Sequence, residues 1–313
     1  MKLAWFRADT PQPSRLLDDT AALIAELGST HDIEVFTAAN AHDFVSKDAP
    51  APHDLSVYEL DNTPAHAFIW PYLLRGRGVL LLRTLTLQEN LAAALRAARV
   101  TVVADPSTTD ALRLEHPGAR VCFAATGVRQ GQPVQEVQGL PQAQGSRVTF
   151  GALQGERLDV IRRALARARQ VGAAAELMAD ASAEHILREA DVIVSLPWPW
   201  FGEPQTPALA AMAAGKPVIV LETPATADWP ALDPQTWRPR GAVADTPIAV
   251  SLDPRDEEHS LLLAIKRLTT DPDLRARLAA AAHNWWRTHA TPRHAADDWE
   301  RILAEAAQLA DSP

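Results

Sequence analysis

What most constrains this chain is a series of short, unbroken apolar runs with no polar alternation, separated by stretches of helical periodicity. A strand with one wet face alternates apolar and polar residues. Runs such as VLLL, VTVV and VIVS instead fit parallel strands covered by helices on both faces. The opening MKLAWF reads as a strand feeding a proline-rich loop. Ser14 to Leu27 then carries Leu16, Leu17, Ala21, Leu23, Ile24 and Leu27 at helical spacing, closed by Gly28. Strands are predicted over residues 32–38, 54–61, 78–85 and 100–105. A helix over 87–98 precedes the last of these, and a further helix leads into a strand over 119–128. The pattern is α/β, with alternating elements and a parallel sheet.

From Arg129 to Gly145 the pattern lapses into RQGQPVQEVQGLPQAQG, which reads as a linker. A second series follows, with a strand at 147–153, a basic helix over 157–172 and a strand at 173–180. Next come a helix over 181–191 with Ser182 as a candidate N-cap, a strand at 191–196, the helix TPALAAMAAG, and a strand at 216–222. Helices over about 257–270, 272–288 and 292–310 close the chain. At 313 residues the chain exceeds one ordinary domain of about 100–200 residues, so two are expected. The boundaries read as a first domain over 1–128, a linker over 129–146, a second domain over 147–290 and a final helix over 291–313 that crosses back to the first.

Composition excludes several function classes. A net charge of −9 argues against a nucleic-acid surface, although a local basic patch for peripheral membrane contact stays open. Cys122 is the only cysteine, so there is no intramolecular disulfide and no thiolate metal cluster. MKLAWFRADTPQPSR lacks the apolar run of a signal peptide, and no run reaches the roughly 18–20 apolar residues of a bilayer span. A cytoplasmic protein without a transmembrane segment is expected. Histidines and aspartates show no metal-ligand spacing, and there is no Walker, GxGxxG or Ser-His-Asp signature.

Three segments together carry a resemblance. They are DLSVYELDNTPAHAFIWPYLLRGRGVLLLRTL, EADVIVSLPWPWFGEPQTPALAAMAAGKPVIVLE, and the closing VSLDPRDEEHSLLLAIKRLTTDPDLRARLAAAAHNWWRTHATPRHAADDWERIL. The chain resembles the retaining family-four (group 1) glycosyltransferases of GT-B fold, with a degenerate donor-site motif. The resemblance implies two Rossmann-like domains facing each other across a cleft. It implies a nucleotide-sugar bound mainly by the second domain and a glycan, lipid-linked or small-molecule acceptor bound mainly by the first. It also implies no cofactor and no metal.

The resemblance sets a role for each candidate, and each has a plainer alternative. Glu203, before a predicted helix, would orient the donor sugar, or else simply favour the helix dipole. Gly202 would bring backbone close to a ligand or make a turn. Gln205 and Thr206 sit where relatives bring backbone N–H groups to phosphate; alternatively Thr206 caps the helix with Pro207 at its first position. Arg157 would neutralise the diphosphate or lie solvated at a helix start. In the first half, Asn62 and His66 follow a strand end, where open α/β sheets bind ligands. His66 would bind acceptor or move a proton, or be a packed histidine. Arg83 stands at the end of the next strand, facing the acceptor side. Trp198 and Trp200 would form a sugar platform or an interface.

The chain also departs from the family. Arg83-Thr84 replaces a His-Asp pair, Glu156 stands where a lysine is usual, and Ala210 and Ala211 stand where a second glutamate is usual. The loop after the first strand has no glycine. Two functions therefore compete. One is a retaining transferase moving a sugar from a nucleotide-diphosphate donor to an unknown acceptor. The other is a transferase-derived binding or scaffold protein without turnover.

Overall fold

The computed structural model describes residues 1–9, 17–48, 52–87, 90–131, 147–153, 157–240 and 246–309. Most of the linker, the loop at 10–16 and Glu156 lie outside the described residues. Two parallel sheets organise the rest. The first runs β2-β1-β3-β4-β5-β6, all neighbours parallel, with β1 (Lys2–Phe6), β2 (Asp32–Phe36), β3 (Leu55–Leu60), β4 (Val79–Leu82), β5 (Val100–Val103) and β6 (Val121–Phe123).

Successive side chains of β1 point to opposite faces. Leu3 and Trp5 join the core on one face, under α1 (Asp19–Leu27) and α11 (Pro292–Gln308). Ala4 and Phe6 enter a second core with Phe36, Tyr58, Ile69 and Leu73. That second face is closed by a short 3-10 turn over Pro64–Ile69 and by α3 (Trp70–Arg75), a pair too short for the helical period to reveal in the sequence.

The second sheet runs β12-β11-β13-β10-β9-β7-β8. Its strands are β7 (Val148–Ala152), β8 (Ala175–Met178), β9 (Val192–Ser195), β10 (Val218–Leu221), β11 (Ala231–Leu232), β12 (Pro239–Arg240) and β13 (Ala249–Leu252). Among the described residues, only the β11–β12 pair is antiparallel. Residues 249–252 were not expected as a strand, yet β13 pairs with β10 in the sheet interior. One face is covered by α6 (Leu158–Gln170) and α9 (Glu257–Thr270). The other is covered by α7 (Ala183–Glu189), α8 (Thr206–Ala213) and α10 (Pro272–His289). Ser182 caps α7, accepting from the His185 N–H as the sequence suggests. α1 starts later than Ser14, at Asp19, because the Asp18 carboxylate accepts from the Ala21 N–H and fixes the first turn there.

The chain crosses between the sheets twice, and the crossings lie side by side. The Val128 N–H donates to Ala290 O at 2.9 Å, and the Trp286 indole N–H donates to Val128 O at 3.0 Å. At Gly127 a Cβ would lie 2.7 Å from Pro292 Cα, so only glycine allows the second crossing to pass this close. After that crossing α11 packs on the first sheet, where Trp299 meets Trp5 with ring centroids 5.2 Å apart.

Trp299 is 2% exposed. Trp299→Ala is therefore expected to destabilise the protein by ~3–5 kcal/mol, the range for emptying a large aromatic site. Urea unfolding would measure it, and a loss under 1 kcal/mol would contradict the packing described.

Candidate active-site cleft

In an open parallel sheet the ligand crevice forms at the carboxyl ends of the strands, where strand order reverses. In the first sheet that point lies between β1 and β3. Arg7 follows β1, Glu59 lies near the end of β3, and Arg83 follows β4, so all three converge there. In the second sheet the reversal lies between β7 and β9. The β7–α6 connection delivers Arg157, and the β9–α8 connection delivers Gly202, Glu203 and Gln205.

The first crevice is filled by ion pairs. Arg83 donates through both terminal nitrogens to Asp19, at 2.8 Å each, and its Nε lies 3.6 Å from Glu59. Arg7 donates to both oxygens of Asp18 at 3.0 and 3.2 Å, with Nε 3.8 Å from Glu59. Thr20 Oγ1 donates to Glu59 at 3.0 Å. Burial raises the Glu59 carboxyl above its ordinary value, and the two arginines pull it back only in part. Burial works against the Arg83 charge, but Asp19 and Glu59 more than restore it. The sequence reading missed Arg7, Asp18, Asp19 and Glu59; the available signal was a glutamate inside the apolar strand LSVYEL.

His66 is buried, and its Nδ1 lies 2.8 Å from Thr63 Oγ1. Burial is the main influence lowering its pKa; Asp61 opposes this, while Arg83 and Arg7 lower it further. Its imidazole is thus held neutral near pH 7. Asn62 is exposed, and its backbone N–H donates to Asp61 Oδ1 at 2.6 Å. The structure thus groups Asn62, His66 and Arg83 in the first domain, with the Arg83 guanidinium committed to Asp19.

Across the cleft, Glu203 Oε2 accepts from the Phe201 N–H at 2.6 Å, and its carbonyl accepts from the Trp200 indole at 2.9 Å. Trp200 thereby braces the loop, while Trp198 is 54% exposed. Gly202 has φ +92°, and a Cβ there would meet Leu85 Cγ at 3.0 Å. Leu85 N–H also donates to Phe201 O at 2.6 Å. The close approach at Gly202 is thus to the first domain. Gln205, and not Thr206, is the N-cap of α8, without a side-chain capping bond; Thr206 is the first helical residue and Pro207 follows it. Both Gln205 and Thr206 are buried. Ala210 and Ala211 are buried in the core that α8 shares with α10, where a glutamate would lose its hydration.

Arg157 occupies the N-cap position of α6. Its Nη1 donates to Glu257 Oε2 at 2.5 Å, and its side chain is 32% exposed. Burial raises the Glu257 carboxyl, with Arg157 opposing that rise. The β4–α4 loop, before α4 (Leu91–Ala97), and the β9–α8 loop touch, so the carboxyl ends of the two sheets face each other.

Two Rossmann-like domains whose strand ends meet across a cleft define the GT-B fold, and the comparisons place this chain in it. HepE from Anabaena, solved with UDP and glucose, matches 97% of this chain over 100% of its own, with a TM-score of 0.67 and 13% identity. A glycosyltransferase from Rickettsia africae matches 99% of each chain, at a TM-score of 0.66 and 11% identity. WaaG, a glycosyltransferase involved in lipopolysaccharide biosynthesis, matches 99% of this chain and 100% of its own, at 0.59 and 12%. No protein-family model and no curated protein sequence matches the chain. Among the described residues, no helix is long and apolar enough to cross a membrane.

Arg83→Met is expected to cost ~3–5 kcal/mol at neutral pH, because it strands buried Asp19 and Glu59. The folded-state pKa of Glu59 lies above its unfolded 4.5, so its contribution is present below 4.5 and is lost as pH rises through the folded value. Removing Arg83 raises that value further, so the deficit should shrink as the buffer is acidified. Denaturation at pH 5 and 7.5 would test this; an equal deficit at both would contradict it. His66 carries the opposite sign. Its folded pKa lies below 6.5, so stability falls as pH drops through 6.5, where the unfolded chain takes up the proton first. His66→Gln should flatten that part of the stability–pH curve.

Proposed function

We propose that the protein is a retaining glycosyltransferase that takes a nucleotide-diphosphate-sugar donor into the second-domain crevice and an acceptor against the first. One observation carries the reading: Arg157 and Glu203 arise from the two connections that flank the strand-order reversal of the second sheet. A guanidinium at that position suits a diphosphate, and a carboxylate on the adjoining loop suits sugar hydroxyls. Arg157 remains one-third exposed despite its bond to Glu257, so anionic oxygens could share its remaining donors. Gln205 and Thr206 offer the N-terminal end of α8 to the leaving group. HepE, which shares the fold, was solved with UDP-glucose, and this supports a uridine nucleotide as the first donor to try.

On this reading Asn62 and His66 lie on the acceptor side. His66, its basicity lowered by burial, would accept or donate a hydrogen bond to an acceptor hydroxyl. The diphosphate leaving group would take that proton, and departure on the same face as attack gives retention. Closure of the cleft excludes water from the donor. We propose that neither a metal nor a cofactor takes part.

A second reading, a binding or scaffold protein without turnover, is favoured by one observation. The first-domain crevice is occupied by the Arg7–Glu59–Arg83–Asp19 pairs, and the Arg83 guanidinium is already engaged on both terminal nitrogens.

Calorimetric titration with UDP, GDP, ADP, CDP and dTDP, then with sugar conjugates of any binder, separates these. The transferase should bind one nucleotide at micromolar affinity, and Arg157→Ala should weaken it by about tenfold or more, as expected for losing a charge-assisted bond. Glu203→Ala should abolish slow hydrolysis or transfer of the sugar conjugate while leaving the melting temperature in place. Binding without turnover under any acceptor would favour the second reading, and failure of every nucleotide on folded protein would sink the first.

A further inference from the structure

A cavity of about 460 Å³ opens between the domains on the side of the paired crossings, lined from both. The first domain contributes the ends of β5 and β6, the second contributes Gln205 and the segment after β10, and α10 and α11 close it. Neither Arg157 nor Glu203 lines it, and Gln205 is the one residue it shares with the nucleotide-side loop described above. Its size falls within the ~300–1,000 Å³ usual for small-ligand sites.

The lining has a distinct chemistry. Among the described residues that face it there is no lysine and no arginine, while Asp105, Asp228, Asp297 and Asp298 all do. His289 and His294 also line the space, but a diphosphate there would face four aspartates and no lysine or arginine of the lining, which disfavours the donor's anionic part. Asp298 already accepts from the Ala125 N–H at 2.9 Å, and Asp297 pairs with Arg293 at 3.1 Å. Asp105 differs. It is 2% exposed, its Oδ1 caps α5 (Pro106–Glu115) by accepting from the Thr108 N–H at 2.7 Å, and its Oδ2 is buried with no partner. A buried carboxylate oxygen without a donor is costly and calls for one.

The apolar part of the lining is aromatic. Trp229 and Trp285 pack with ring centroids 5.4 Å apart, and Trp285 stacks on His289 at 4.9 Å with planes 11° apart. Phe123, at the end of β6, is 39% exposed and lines the same space. An indole wall suits the C–H face of a ring, and an unpaired carboxylate suits a hydroxyl donor.

We infer that this cavity is a second ligand site, taking an uncharged sugar ring that stacks on the Trp285 wall and donates a hydroxyl to Asp105 Oδ2. The inference does not depend on turnover or on the nucleotide reading. A free monosaccharide and the terminal ring of a longer glycan offer the same chemistry.

The test is saturation-transfer NMR and calorimetry of the whole protein with glucose, galactose, mannose, N-acetylglucosamine and maltose, with tetramethylammonium as a cationic control. One sugar should bind saturably to the wild type. Its affinity should fall by about tenfold or more in Asp105→Asn, which keeps the α5 cap because asparagine caps as well as aspartate. It should fall in Trp285→Leu and persist in Arg157→Ala, each variant first shown to melt like the wild type. Binding of maltose alone also supports the site and assigns the ligand to a glycan end. Four results would overturn the inference: no sugar bound, binding that survives both cavity variants, binding lost in Arg157→Ala, or binding of tetramethylammonium in place of every sugar. The nucleotide titration is read separately, so sugar silence with nucleotide binding removes this site and leaves the proposed function standing.

Discussion

Parallel pairing governs nearly everything in this molecule. A parallel strand cannot be closed by a tight hairpin, so each needs a crossover that covers the sheet, and both faces become core. The two sheets therefore leave one kind of place for chemistry, the loops at the carboxyl ends of their strands. Those loops carry Arg7, Arg83, Asp105, Arg157 and Glu203, drawn from regions far apart in the chain. The cleft follows from the topology, and the side chains then decide what each part of it can hold.

Those side chains divide the cleft. At the β1–β3 reversal two arginines and three carboxylates pair with one another in a buried salt network, with Glu59 Oε2 left without a hydrogen bond. At the β7–β9 reversal the guanidinium of Arg157 has one carboxylate partner among the described residues and partial exposure. On the side of the crossings the balance reverses, with carboxylates and aromatic rings but no lysine or arginine among the described lining residues. Three electrostatic environments thus lie along one interdomain boundary.

Much of the architecture was legible because burial on both faces leaves continuous apolar runs that no other arrangement tolerates. The predicted strands GVLLLRTL, VTVVAD and DVIVSL contain β4, β5 and β9, and the long tail helices lie where their periods place them. Short elements were not legible. β13 has four residues and α3 has six, too few for a period to emerge. The site was half legible. Residue type and position before a helix marked Glu203 and Gly202, but spacing could not reveal that Gly202 meets Leu85, or that Arg83 closes on Asp19 sixty-four positions away. Nor could it show that Ala210 and Ala211 lie in the core that α8 shares with α10. Pairings between distant segments are set by tertiary geometry, and Asp105 belongs to the same class.

The helix that seals the first sheet is synthesised only after all the strands of the second. Trp5 lies in β1 and Trp299 in α11, so the contact spans every strand of the second sheet. Until α11 is made, Leu3, Trp5 and Val57 have α1 over that face but not the helix that completes the core. The amino-terminal half must therefore wait through synthesis of the entire second half with an apolar face only partly covered. Its completion is a late event, timed by translation and exposed to chaperones in the interval. A chain stopped short of residue 292 would be left with a sticky first half, however well its second half had folded.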